Sequence, residues 1–286
     1  TRNIESPSQV KSLIEQLQDT ANNSLLISID QEGGGTHRLR SIYGFGETPS
    51  WNHIGLLNSE LMTEQFSKTM ATTLSDLGIN LNFAPVLDLD HGEGTVISDT
   101  KRAFSSDPKT VKKNSKIFID EHRASGIITC GKHFPGLGSA SGDTHEGFTD
   151  ISNTWTVKDL LPFDEMIRDD DLDMVMVSHA FDKKLDPVYP SSLSSIIIND
   201  MLRNDLGFDG PVICDDPSMR AISDHYSLND TFELMLNAGV DLFCLGNNLI
   251  YDPNYIPKSI KTITELVNSK KITMERISKS IRRINK

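Results

Sequence analysis

At 286 residues, with 37% hydrophobic and 24% charged side chains, the chain can bury a substantial core, as two small domains or one large α/β barrel. A net charge of -12 and a pI near 5.1 weigh against nucleic acid or an anionic membrane as partner, because those surfaces attract clustered Lys and Arg. No stretch approaches the roughly 18 to 20 apolar residues that span a bilayer. The opening "TRNIESPSQV" lacks the basic-then-apolar pattern of a secretory leader, so a cytoplasmic protein is expected.

In chain order, "PSQVKSLIEQLQDTA" (7–21) has helical periodicity and "LLISID" (25–30) reads as a buried strand. A helix over 59–78 leads to the strand "INLNFAPVLD" (79–88), and a helix over 107–126 to the strand "GIITCGKHF" (126–134). The strand "LDMVMVSH" (172–179), a helix over 194–207, the strand "GPVICDD" (210–216), a helix over 229–239 and the strand "GVDLFCLG" (239–246) continue the alternation. Each strand run is apolar on both faces, as parallel strands covered by helices must be. Several helices open on Ser, Asp or Asn and stop at Gly, the cap chemistry of their two ends. The terminal "SKSIRRINK" reads as the solvated face of a last helix. Cys130, Cys214 and Cys244 are too few and too scattered for a disulfide framework, form no CxxC pair, and read as buried thiols in strands of a protein from a reducing compartment.

This order predicts an α/β fold with a parallel sheet, doubly wound or closed as a (β/α)8 barrel. With no Pro/Ser/Gly-rich linker and no internal repeat, residues 1–286 read as one domain. The polar groups of "ISIDQEGG", "CGKHFPG", "VSH" and "CDD" all stand at C-terminal ends of strands. In a barrel those ends converge on one mouth, whereas an open sheet spreads them along an edge, which favours the barrel.

Four groups of residues carry candidate chemistry. Asp215 and Asp216 follow an apolar strand, so one can cap the next helix while the other projects into the mouth. Asp143 and His145 are two apart in a loop, where side chains at i and i+2 share a side and the carboxylate can fix the imidazole tautomer. An imidazole so held can act as acid and base; the same pair also reads as a satisfied surface histidine. Lys132 with His133, and Asp30 with Arg38, offer the directional hydrogen bonds that grip sugar hydroxyls, or simple ion pairs. No GxxxxGK[ST], GxGxxG before a helix, HExxH or GxSxG occurs. A zinc site from His133, His145 and Asp143 is opposed by the adjacent Lys132, and no metal or cofactor is expected.

With "IDQEGG", "NFAPVLD", "RAFSSDP", "KHFPGLG", "GDTH" and "VICDDPSM" in this order, residues 1 to 250 resemble glycoside hydrolase family 3, in its single-domain β-N-acetylglucosaminidase (NagZ-type) branch. The resemblance implies a barrel whose first strand precedes Thr1, and a retaining exo-acting enzyme that releases terminal GlcNAc, from peptidoglycan fragments. It implies Asp215 as nucleophile, His145 as acid/base oriented by Asp143, and sugar contacts from Asp30, Arg38, Arg102, Lys132 and His133. It also implies a mobile loop with Gly136, Gly138 and Gly142 as its flexible points, a carbohydrate as the partner, and a monomer. Three positions depart from the family pattern: Gly35 where arginine is frequent, Leu137 where a second histidine is frequent, and Thr144 for serine. A family 3 β-glucosidase, β-xylosidase or phosphorylase, and an inactive sugar-binding barrel, are the competing expectations.

Overall fold

A computed structural model describes residues 3–247, 249 and 251–286. Helix α1 (Pro7–Thr20) starts where Ser6 accepts from the Gln9 N–H with Pro at the first turn. Strand β1 (Ser28–Ile29) follows, then a single 3₁₀ turn, α2 (Trp51–Leu57) and α3 (Glu60–Leu77), which Gly78 ends in the left-handed region at φ 85°. Strand β2 (Leu81–Asn82), the one-turn α4 (Val96–Asp99), α5 (Pro108–Ala124) and β3 (Ile128–Phe134) come next. Then come α6 (Val157–Arg168), β4 (Met174–Val177), a second 3₁₀ turn, a π-helix (Ile196–Asp205) and β5 (Val212–Cys214). The chain closes with α7 (Arg220–Ser223), α8 (Leu228–Ala238), β6 (Leu242–Phe243), α9 (Tyr255–Asn268) and α10 (Met274–Ile284).

The six strands pair in parallel in the order β1-β2-β3-β4-β5-β6, each beside its sequence neighbour. This is the TIM-barrel-like α/β arrangement that strand–helix alternation predicts. Among the described residues the strands form an arc, without a ladder from β6 back to β1. Each observed strand lies within its expected run, and β1 is much shortened, for a visible reason. The backbone N–H groups before it are taken by side-chain amides, Leu25 N–H donating to Gln18 Oε1 and Ile27 N–H to Asn80 Oδ1 at 3.0 and 2.7 Å, while the Ile27 carbonyl still accepts from Leu81 N–H of β2.

Strand alternation divides the core. Val175, Val177, Val212 and Cys214 join the large cluster with Phe118 on α5 and Phe163 on α6, between strands and helices. Leu81, Cys130, Met174, Met176 and Ile213 form a separate cluster on the opposite face. Cys130 and Cys214 are buried strand thiols, as expected, whereas Cys244 lies one residue past β6 and is half-buried. The reading of "SKSIRRINK" also needs correction. Arg283 of α10 turns inward with Arg276, and both reach the buried carboxylate of Asp241, which Arg203 and Ser280 also engage.

Candidate active site

The C-terminal ends of the strands open into a cleft of about 330 Å³, in the range of small-ligand sites. Asp30 enters from the end of β1, Lys132 and His133 from β3, and Asp215 and Asp216 from β5. Arg38, Arg102, Asp143 and His145 enter from loops, so all the candidate residues line one space. Adjacent residues of a strand normally face opposite ways. Lys132 and His133 both reach the cleft because the ladder to β4 slips between Lys132 and Phe134.

The floor is a chain of alternating charges. Lys132 Nζ lies 3.0 Å from Asp30 Oδ1 and 2.5 Å from Glu32 Oε1, and Arg38 reaches the other oxygen of Asp30 at 3.1 Å. Arg102 grips Glu32 in a fork, Nε to Oε2 at 2.7 Å and Nη2 to Oε1 at 2.8 Å. Burial opposes the charge on Glu32, yet Arg102 and Lys132 outweigh it and hold its pKa at about 2. Burial likewise opposes the charge on Asp30, and Lys132 and Arg38 hold that carboxyl well below the usual range. Lys132 is disfavoured as a cation by burial but kept above the ordinary lysine value by Glu32 and Asp30.

His133 Nδ1–H donates to Asp88 Oδ2 at 2.6 Å, while its Nε2 lies 3.2 Å from Arg102 Nη2, which can only donate. The two partners define the neutral Nδ1–H tautomer. Asp88 also accepts from the backbone N–H of His133 and Leu137, tying the loop after β2 to the loop after β3. Sequence reasoning passed over Glu32 and Asp88; their signal was position, since both stand at the ends of strand runs in "IDQEGG" and "NFAPVLD".

Across the cleft, His145 Nδ1–H donates to Asp143 Oδ1 at 2.7 Å, the pairing expected from their spacing, and the same oxygen accepts the His145 N–H at 2.9 Å. Nε2 is left as the nitrogen available to a substrate. Burial works against the Asp143 charge, but the His145 hydrogen bonds hold its pKa below the usual carboxylate value. Asp216 caps the turn after β5 and anchors the loop after β6, its oxygens accepting from the Ser218 and Gly246 N–H groups at 2.9 and 3.2 Å. Among the described residues Asp215 has one short-range acceptor bond, from the Asp216 N–H at 2.9 Å, and the rest of its carboxylate lines the cleft. Beneath the pair, buried His179 donates from Nε2 to the Asp216 carbonyl and accepts on Nδ1 from Ser192 Oγ. Burial lowers the His179 pKa, keeping the ring neutral.

The glycines after Lys132 serve packing. A Cβ on Gly138 would stand 2.1 Å from the Leu89 carbonyl oxygen, and one on Gly136, at φ 123°, 2.8 Å from Asp159 Cβ. Of the three expected flexible points only Gly142 has room around it. Leu137 suits its surroundings, packed among Val86, Ile97 and Ala103 with one edge on the cleft. Cys244 also lines the cleft, its thiol pushed up by burial.

The profile of the glycosyl hydrolase family 3 N terminal domain matches residues 1–286. The chain belongs to glycosyl hydrolase family 3. Relatives named β-hexosaminidase include one from Nitrosomonas eutropha, 35% identical over 260 residues that cover 86% of this chain and 72% of that protein. A β-hexosaminidase from Pseudomonas aeruginosa is 35% identical over 251 residues, covering 86% of this chain and 73% of its own. Among solved structures, a family 3 β-N-acetylglucosaminidase from Paenibacillus sp. superposes with TM-score 0.91 at 31% identity, over 99% of this chain and 54% of that one. The β-N-acetylglucosaminidase from Thermotoga maritima gives TM-score 0.84 at 30% identity, over 99% and 59%. The chain thus spans little more than half the length of these two crystallised enzymes. Among the described residues no helix is long and apolar enough to cross a membrane.

Proposed function

We propose that this family 3 chain is the catalytic domain, residues 1–286, of a retaining exo-β-N-acetylglucosaminidase that releases terminal GlcNAc, from peptidoglycan fragments. Its strand arc is read as part of a closed (β/α)8 barrel. The names of the relatives support the sugar. The observation that carries the chemistry is one cleft lined by Asp215 and by the Asp143–His145 pair, over a floor of hydrogen-bonding charges. The Asp215 carboxylate attacks the anomeric carbon as the glycosidic C–O bond breaks, and protonated His145 gives its proton to the departing oxygen. Water then returns a proton to His145 while its oxygen attacks the same carbon, breaking the ester and restoring Asp215. Asp143 holds the His145 tautomer and balances the imidazolium. An imidazole in this role also spares the ester a second facing carboxylate.

Asp30, Arg38, Arg102, Lys132 and His133 bind the sugar hydroxyls, and the small volume of the cleft suits one terminal residue. Reaction with a 2-fluoro or 5-fluoro N-acetylglucosaminyl donor, followed by peptide mapping, tests the reading. An adduct on the peptide holding Asp215 is expected; an adduct elsewhere, or turnover with inversion, would refute it. The same assay run with glucosyl and xylosyl donors, with and without phosphate, separates this substrate from its family 3 alternatives.

A further inference from the structure

The eight residues 142–149 around His145 are hydrophilic or glycine with one exception, Phe148. The segment closes on itself: Asp143 O accepts from the Glu146 and Gly147 N–H groups, and Thr149 Oγ1 donates to Gly142 O. The polar ties to the other described residues are a backbone bond from Ala221 N–H to Thr144 O at 3.2 Å, a weak one from Thr144 Oγ1 to Met219 Sδ at 3.7 Å and, at the far end of the segment, one from Phe181 N–H to Thr149 O at 2.8 Å, which leaves residues 145–148 held by the aromatic ring. Phe148 adds apolar ties to two other loops. Its ring centroid lies 5.2 Å from that of Phe181, past β4, and 5.8 Å edge-on from that of His225, past α7. Yet the ring is 51% exposed, so it contributes little to the core and is placed to be lifted off.

We infer that Phe148 is a positioning residue, a latch that docks the His145 segment against the loops after β4 and β5. The inference rests on the role proposed above for His145. Asp215 stands on the β5 side of the latch, so the aromatic contacts set how often imidazole and carboxylate are presented to one substrate together. The sugar-gripping residues on β1 and β3 are not touched by it.

Leaving-group dependence isolates that role. Phe148→Ala is expected to lower kcat/KM about tenfold on a GlcNAc glycoside with a poor alkyl leaving group, as befits the removal of two aromatic pairings. It should scarcely change kcat/KM on a dinitrophenyl glycoside, which needs little protonation, and the variant should melt with the parent. Phe148→Tyr should restore the alkyl rate. Adding Phe148→Ala to His145→Ala should cost nothing further on the alkyl substrate. Equal losses on both substrates, no loss on either, or an additive double variant would each overturn the latch while leaving the His145 assignment standing. If His145→Ala itself shows no leaving-group dependence, the acid role falls and the latch with it.

Discussion

Glu32 is nearly inaccessible, and it is the shared counter-ion of two cations that are also largely buried, Lys132 and Arg102. Removing its charge leaves Arg102 without its carboxylate partner and Lys132 with Asp30 alone, and breaking a buried pair from one side costs about 3 kcal/mol or more. Glu32→Gln should therefore unfold at lower denaturant and raise KM, since the floor of the cleft loses its geometry; unchanged stability would mean that water rescues the cations. Asp215→Asn should abolish turnover of every substrate while the protein melts normally, because Asp215 has few partners to lose. Much of this site was legible. Strand-end charges and the two-residue spacing of Asp143 and His145 pointed to one cleft, because backbone geometry alone fixes where such positions face. For Glu32 and His179 the strand-end position in "IDQEGG" and "VSH" was legible, but their partners, Arg102 and Ser192, are distant along the chain and no local pattern reveals them. Phe148 was equally silent, since its two neighbours are also remote.

At the scale of elements, the six strands were legible because a buried parallel strand must be apolar on both faces, and few other segments are. Helices α2 and α6 went unread. The first carries Gly55, whose missing Cβ lets the Phe104 backbone approach, since an added Cβ would fall 1.7 Å from Phe104 O. The second carries Pro162, ordinarily a breaker, in its middle. Its start is secured by a capping box in which Asp159 accepts from the Thr156 N–H, and by His91, 2.6 Å from the other Asp159 oxygen. Helix α10 is anchored by charge as much as by packing, with Arg276, Arg283 and Ser280 all directed at Asp241, which is inaccessible to solvent. Asp241→Asn should loosen this helix first: early tryptic cleavage within 274–284, before the core strands become accessible, is the expected pattern. Simultaneous loss of all elements would show the anchor to be part of the global core instead.

For the whole molecule, the buried neutral histidines respond to falling pH before the salt-bridged floor does. His122 is buried in α5 with Nδ1–H donating to Phe118 O and Nε2 accepting from Asn82, and burial lowers its pKa to about 4. Its folded value lies below the unfolded value of 6.5, so the unfolded chain takes up the proton first as pH falls. The contribution of His122 is complete above pH 6.5 and declines by about 3 kcal/mol by pH 4. Glu32, depressed to about 2, stabilises fully above its unfolded value of 4.5 and loses its effect only as pH falls towards 2. Urea unfolding at pH 7 and pH 4.5 should thus show a smaller pH penalty for His122→Gln than for the parent; parallel lines would contradict the assignment. The cleft takes its walls from segments as distant as Asp30 and Gly246. The lining is shared among strands and loops from across the chain, and neighbouring parallel strands meet only through long crossovers, so the cleft is complete only when all of them have docked. During renaturation, return of glycosidase turnover will therefore trail the recovery of circular dichroism and mark the docking of the final strand.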